Sequence, residues 1–338
     1  MLGIIMIIIY CEKDIGWSPI SYMVRLASKL LQAELIILEY KEPSIIDKLS
    51  TLFLKRKISN GGEKLLLICS SPTDLSLIFQ LKNFRNRFDY IAAWVIDSFW
   101  VDRIPKFAKV SGIFDHIFIT SAEDVDEWEK VTKTPTSWLP WGADVLELGG
   151  GGEERKWDLI RVGRQPIEWD DDNVTYKRCV DNNITFSGRL DFISNPLNNQ
   201  LSLMAYYQQA KFVLAFSNIE NPTGYTHPIR AYLTARWVDT LACGGVVAGI
   251  SPNEPSIKKL LWDGATLEFD TVNINEGMNV VQQALERWTP KQAEYNYKQS
   301  LRRLDWRWRF VEIANAFSIS PDLLSVDIKL LELEMKKV

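Results

Sequence analysis

Four consecutive glycines, Gly149–Gly152, interrupt this chain near its middle. An alternation of apolar strands and amphipathic helices runs up to them and starts again after them. Glycine has no side chain to pack and loses the most backbone freedom on ordering, so such a run belongs to no regular element and reads as a linker or loop. The segment Leu148–Lys156 therefore divides the 338 residues into two stretches, each about the usual size of one domain.

Before the break, strand-like runs fall at Ile4–Tyr10, Glu34–Leu38, Lys64–Cys69, Tyr90–Ile96, His116–Ile119 and Ser137–Leu139. Helical patterns lie near Pro19–Leu31, Ser44–Leu54, Thr73–Leu81, Ile104–Lys109 and Ala122–Val131. After it, strands are expected at Asp158–Val162, Ile184–Phe186, Phe212–Phe216, Val246–Ile250 and Thr266–Phe269. Helices are expected at Val174–Asp181, Gln200–Ala210, Pro228–Cys243, Gly277–Arg287, Pro290–Leu304, Arg307–Ala316 and Leu323–Lys337. Near-continuous apolar strands separated by helices specify parallel sheets covered on both faces. The fold class is α/β, with two Rossmann-like, doubly wound domains facing across a cleft, and ligands expected at the carboxyl ends of the strands.

Composition narrows the function. A net charge of −4 gives no general attraction to nucleic acid or to an anionic membrane. The four cysteines (Cys11, Cys69, Cys179, Cys243) are scattered beside apolar runs without zinc or redox spacing, which suits buried thiols in a reducing, cytoplasmic setting. The apolar run Ile4–Ile9 is too short to span a bilayer and lacks a basic leader, so a buried first strand is expected there. No P-loop and no nucleophile elbow occur, and with only two histidines a dedicated zinc site is not expected. The acidic triplet Asp170–Asp172 sits in a polar loop rather than closing an apolar strand, which favours a solvated loop over a metal motif.

The most informative stretch is Thr223–Ser251, TGYTHPIRAYLTARWVDTLACGGVVAGIS. Pro228 can open a helix, and Gly244 and Gly245 can end it before the apolar strand VVAGI. Arg236 and Asp239, three residues apart, then share one helical face. A helix N-terminus beside Thr226 and His227 offers free N–H groups to an anion, with Arg230 and Arg236 nearby. This geometry suits a nucleoside diphosphate, with Asp239 accepting from ribose hydroxyls. An intrahelical Arg–Asp pair on a solvated face is the alternative reading of the same residues.

The run ARWVDTLACGGVV resembles the donor-site helix of GT-B glycosyltransferases, R-x-F-E-x-x-A-C-G followed by a strand, and is closest to the spore-maturation-type and group-1-like enzymes. The match places Arg236 on the family's arginine and Asp239 on its ribose-binding glutamate, one methylene shorter. WDLIRVGR (Trp157–Arg164) resembles the strand that opens the donor domain, which implies close backbone approach at Gly163 and a pyrophosphate contact from Arg164. LPWGAD (Leu139–Asp144) resembles the Pro-x-Gly-x-Asp turn that ends the first domain. Trp306–Phe310 (WRWRF) resembles the start of helices that cross back onto the first domain; a membrane-surface role is the alternative for this Arg/Trp cluster. The implied division is an acceptor-binding domain over residues 1–147, a linker over 148–156, a nucleotide-sugar domain over 157–305 and returning helices over 306–338.

The resemblance also implies direct displacement at an anomeric carbon. Asp97, closing the apolar strand of YIAAWVIDSFWV, is similar in place to the carboxylate that deprotonates the acceptor in several of these enzymes. A helix-capping aspartate is the alternative there. Gly16 and Trp17 after the first strand, and Trp100 after Asp97, are candidate acceptor contacts, since an indole face stacks on a sugar ring. The expected partners are a nucleotide-sugar donor, UDP-sugar foremost, and a glycan, lipid-linked or protein acceptor. Neither metal nor other cofactor is expected. A non-catalytic GT-B binding protein and a phage-type nucleic-acid base glucosyltransferase are the alternatives.

Overall fold

The computed structural model describes residues 6–13, 17–39, 41, 44, 62–81, 84–109, 112–152 and 154–337. They form two compact units, Met1–Pro140 with Arg309–Ile328, and Trp141–Trp308 with Lys329–Val338.

The first unit is built on six parallel strands: β1 (Met6–Cys11), β2 (Glu34–Leu38), β3 (Glu63–Cys69), β4 (Phe88–Val95), β5 (His116–Ile119) and β6 (Thr136–Trp138). Their order is β2-β1-β3-β4-β5-β6. Every residue of β1 is buried, and Tyr10 pairs with Ile37 on one side and Ile68 on the other. The chain winds to one edge after β1, then returns to build outward from its other side, so the winding direction reverses between β1 and β3. Helices α1 (Ser18–Leu30) and α2 (Val125–Thr132) supply Met23, Val24, Ala27 and Trp128 to the interior. Phe317 packs edge-on against Tyr90, with ring centroids 5.0 Å apart.

The second unit repeats the plan with five parallel strands: β7 (Trp157–Arg161), β8 (Phe186–Ser187), β9 (Ala210–Phe216), β10 (Val246–Ile250) and β11 (Thr266–Glu268), ordered β11-β10-β9-β7-β8. Here the reversal lies between β7 and β9. Its helices are α3 (Asp172–Asp181), α4 (Pro196–Tyr207), α5 (Ala235–Ala242), α6 (Pro255–Leu260), α7 (Ile274–Leu285) and α8 (Pro290–Arg303), and α9 (Trp306–Ala316) and α10 (Asp322–Lys336) follow. One core of Leu159, Trp169, Phe186, Phe212, Leu214, Phe269 and Met278 fills the space between sheet and helices.

Two parallel α/β units with buried strands are what the sequence pattern specifies. Several elements differ from it. The helix expected over Pro228–Cys243 exists only as Ala235–Ala242, because the preceding loop satisfies its backbone otherwise. The Asn218 amide donates to the carbonyls of His227 (2.8 Å) and Arg230 (2.9 Å) and accepts from the Tyr232 N–H (3.2 Å). Tertiary partners for these groups override local helix propensity. The expected helix Thr73–Leu81 is a 3-10 helix at Pro72–Gln80, and Ile104–Lys109 is replaced by 3-10 turns at Val101–Arg103 and Lys106–Lys109. Helix α6 was not expected. All of Ser44–Leu54 except Ser44, with Ile4 and Ile5, lies outside the described residues.

The glycine run is built into the second unit. The Gly149 and Gly150 amides donate to the carbonyls of Val145 and Ala242, each at 3.0 Å, and a Cβ on Gly151 would meet the Glu294 Cα at 2.9 Å. Just upstream, Asp144 accepts from the Glu147 amide and pairs with Arg307 at 2.7 Å, while Arg307 also reaches Asp305 at 3.2 Å. All three charged side chains are essentially buried. Removing one member of such a set strands the others without compensation, which is strongly destabilising.

Candidate functional site

Strand β7 ends in Arg161, and the next turn carries Gly163 and Arg164. Gly163 has φ +67°, a left-handed conformation that suits glycine, and a Cβ there would stand 3.2 Å from a terminal nitrogen of Arg236. Arg236, in the first turn of α5, donates to the main-chain carbonyl of Arg164 at 3.0 Å. Two of the three expected arginines, Arg164 and Arg236, are thus brought together at the point where the sheet reverses, the place where doubly wound sheets bind ligands.

A cavity of about 210 Å³ opens there, lined by Arg164, Gln165, Phe216, Asn218, Tyr225, Thr234 and Arg236 among others, with no acidic side chain among the described residues. One terminal nitrogen of Arg164, the Gln165 Oε1 and the Thr234 hydroxyl are buried without hydrogen-bond partners among the described residues. Gln165 is held by its amide nitrogen, which donates to the carbonyls of Val162 (3.2 Å) and Leu214 (3.1 Å). Tyr225 lays its ring against the Arg164 guanidinium, 5.1 Å from the ring centre. Burial, together with the Arg164 and Arg161 cations, lowers the pKa of Arg236. Two guanidinium groups facing one cavity without a carboxylate make an anion site, because an anion relieves both desolvation and mutual repulsion. A larger cavity, of about 450 Å³, lies at the ends of β10 and β11. Among the described residues its wall carries Asp263 and Glu268 against one cation, Lys258, which disfavours a diphosphate.

Other expected donor residues lie elsewhere. His227 does not line this cavity: its Nδ1 accepts from the Arg230 amide at 2.9 Å, which makes it a turn cap. Arg230 belongs to the same stapled turn rather than to a helix, and the helix N-terminus expected beside Thr226 and His227 lies at Thr234 instead. Asp239 shares α5 with Arg236 but is 3% exposed and accepts from Gln200 of α4 at 3.1 Å. Burial pushes its pKa up to about 7, against the Gln200 bond. Gln165, Asn218, Tyr225 and Thr234 were not expected in the site. For Gln165 and Asn218 a usable signal existed, since each follows a buried strand that flanks the reversal.

Asp170–Asp172 is structural. Arg161, fully buried, is bound by Asp170 and, at 2.6 Å, by Asp172, while Asp171 caps α3 by accepting from the Asn173 and Val174 amides. A guanidinium taken out of water needs this compensation. Among the described residues no group of His, Cys, Asp and Glu could hold a metal ion, and the four cysteines are buried and joined in no disulfide. No helix among them is long and apolar enough to cross a membrane.

In the first unit, Asp97 stands two residues beyond β4, half-buried. Burial, reinforced by the Asp74 carboxylate and opposed by Arg103, raises its pKa to about 7. The residue that caps the following turn is Trp100, so Asp97 is not the helix cap. Trp100 is 9% exposed, with the Arg103 guanidinium over its ring at 3.3 Å, so that face is covered. Trp17 is half-buried at the start of α1, and Gly16 lies outside the described residues.

No protein-family model and no curated protein sequence matches the chain. Solved structures do. The Anabaena protein Alr3699/HepE, crystallised with UDP and glucose, has 10% sequence identity and a TM-score of 0.55 over 94% of this chain and 100% of its own. Sucrose-phosphate synthase from Thermosynechococcus elongatus has 11% identity and a TM-score of 0.53 over 94% of this chain and 98% of its own. HepE crystallised with UDP-glucose gives 9% identity and a TM-score of 0.54 over 94% of this chain and 100% of its own. The chain has the GT-B fold.

Proposed function

We propose that this chain is a glycosyltransferase that moves a sugar from a nucleoside diphosphate donor, a UDP-sugar, to the hydroxyl of a glycan, lipid-linked or protein acceptor. The observation that carries this reading is the cavity at the β7–β9 reversal, with Arg164 and Arg236 on its wall and no carboxylate among its described lining residues. HepE, of the same fold, was crystallised with UDP and with UDP-glucose, which supports the choice of nucleotide.

In this reading the two guanidiniums, the Thr234 hydroxyl and the Gln165 amide oxygen bind the donor's diphosphate and adjoining hydroxyls. Asp97, carried by the first unit, takes the proton of the acceptor hydroxyl. The acceptor oxygen then bonds to the anomeric carbon as the bond to the diphosphate oxygen breaks, and the arginines hold the charge that develops on the leaving group. Preorganised charges of this kind usually form the largest part of catalysis. Asp239 reaches a ribose only by giving up Gln200, so its role is the less direct one. Trp17 is the acceptor contact we favour. The reaction needs no metal, since the arginines supply the positive charge, and we place the enzyme in the cytoplasm.

The test is thermal stability with UDP, GDP, ADP, CMP and TDP, for the wild type, Arg164→Met and Asp239→Asn. At ~100-fold over its dissociation constant a ligand adds about 2.7 kcal/mol. A response to UDP that falls to about half or less in Arg164→Met at the same UDP concentration supports the reading, and no response to any nucleotide sinks it.

A further inference from the structure

Asp74 and Asp97 approach the same carboxyl edge of the first sheet from different strands, and one residue joins them. Asp74 lies in the 3-10 helix after β3 and is 1% exposed. Its carboxylate accepts from the Lys13 ammonium at 2.9 Å, from the Ser70 amide at 3.0 Å and from the Ser71 amide at 3.3 Å. The Ser70 carbonyl in turn accepts from the Asp97 amide at 3.0 Å, immediately beyond the pair in which the Cys69 carbonyl accepts from the Ile96 amide at 2.9 Å. Lys13 follows β1, Ser70 follows β3 and Asp97 follows β4, so one buried carboxylate ties together the ends of three strands.

We propose that Asp74 is a positioning residue for Asp97: clamped by Lys13, it fixes through Ser70 the main chain that carries the Asp97 carboxylate. The proposal rests on the reading of Asp97 as the acceptor base. Burying a carboxylate that only stabilised a turn would be a costly choice, because a turn amide can be satisfied by a neutral serine or asparagine. An anion at this place also acts at a distance on Asp97. Among the described residues the charged groups bearing on Asp97 are Asp74 and Arg103, while Asp74 also faces Lys13 and the buried Cys69 thiol. Asp74 thus holds the base in place and keeps its proton affinity high, and Lys13 holds Asp74.

The test is a carboxyl-carbon NMR titration of the full chain, with Asp97→Asn to assign the Asp97 resonance, alongside turnover with UDP-glucose. In Asp74→Asn the Asp97 midpoint moves down from about 7, the acid limb of kcat follows it, and kcat falls on the order of tenfold to a hundredfold with donor KM unchanged. Lys13→Met, which releases the clamp on Asp74, also lowers kcat with donor KM unchanged. Should Asp74→Asn fail to fold, that loss in Lys13→Met carries the test. An unchanged Asp97 midpoint in Asp74→Asn, or an unchanged kcat in both variants, overturns the proposal. A shifted midpoint with full turnover in Asp97→Asn overturns the base reading, and Asp74 then has no catalytic group to position.

Discussion

The guanidinium of Arg236 donates to the main-chain carbonyl of Arg164 at 3.0 Å, although the two are 72 residues apart in the chain. This bond locks the β7 turn to the first turn of α5 and leaves the Arg164 side chain turned to the cavity. Arg164→Met should therefore lose nucleotide affinity by ~10- to 100-fold, the worth of about 1.5–3 kcal/mol for a charge-assisted contact, with little change in the unliganded melting temperature. Arg236→Met should lose both. Calorimetric titration with UDP and scanning calorimetry separate the two outcomes.

Gly163 sits beneath that bond. Gly163→Ala forces an alanine into the left-handed region and pushes a Cβ to 3.2 Å from Arg236. A cost of about 1–2 kcal/mol in stability is expected from the backbone alone. UDP affinity should fall as well, because the Arg236 side chain is the neighbour that must yield.

Asp97 should set the acid limb of the rate. Transfer requires the ionised base, so kcat should fall as pH drops below about 7, and Asp97→Asn should abolish that limb while lowering kcat by ~10²- to 10⁴-fold. A kcat profile measured from pH 5 to 9 decides it.

Asp239 bears on stability through proton linkage. Its folded pKa, about 7, lies above the ordinary aspartate value of 3.8 that the unfolded chain retains. Its contribution is therefore fully present below that ordinary value and is lost as pH rises through about 7. Asp239→Asn keeps the Gln200 partner but removes the titration. The variant should gain on the wild type as pH rises from 5 to 8, by roughly 2–3 kcal/mol. Urea unfolding at the two pH values measures the difference.

The acidic triplet offers a control. With Asp170 and Asp172 engaged by Arg161, a chelator should leave both turnover and the UDP-induced rise in melting temperature unchanged. Asp171→Ala should cost ~1 kcal/mol of stability through the lost helix cap. A turnover that disappears with EDTA and returns with a divalent ion would contradict the arrangement.

The sequence alone determined the two α/β units, because buried parallel strands must be apolar along their whole length and that pattern is local. It likewise pointed to Asp97 and Arg164, since residues just beyond buried strands stand at the ligand-binding edge whatever the details of packing, and to Arg236 through its motif on the helix before β10. Tertiary structure decided the rest. Residues 228–234 have helix-compatible side chains, yet one amide, Asn218, holds them in a loop from ten or more residues away for Arg230 and Tyr232. Asp239 looks exposed to ligand on a helical wheel, but only the packing of α4 against α5 shows that Gln200 occupies its carboxylate. The acidic triplet reads as solvated because nothing local reveals a buried arginine nine residues upstream of its first member. Hydrophobic periodicity is written along the chain, whereas the partner of a buried polar group is fixed by where distant segments meet.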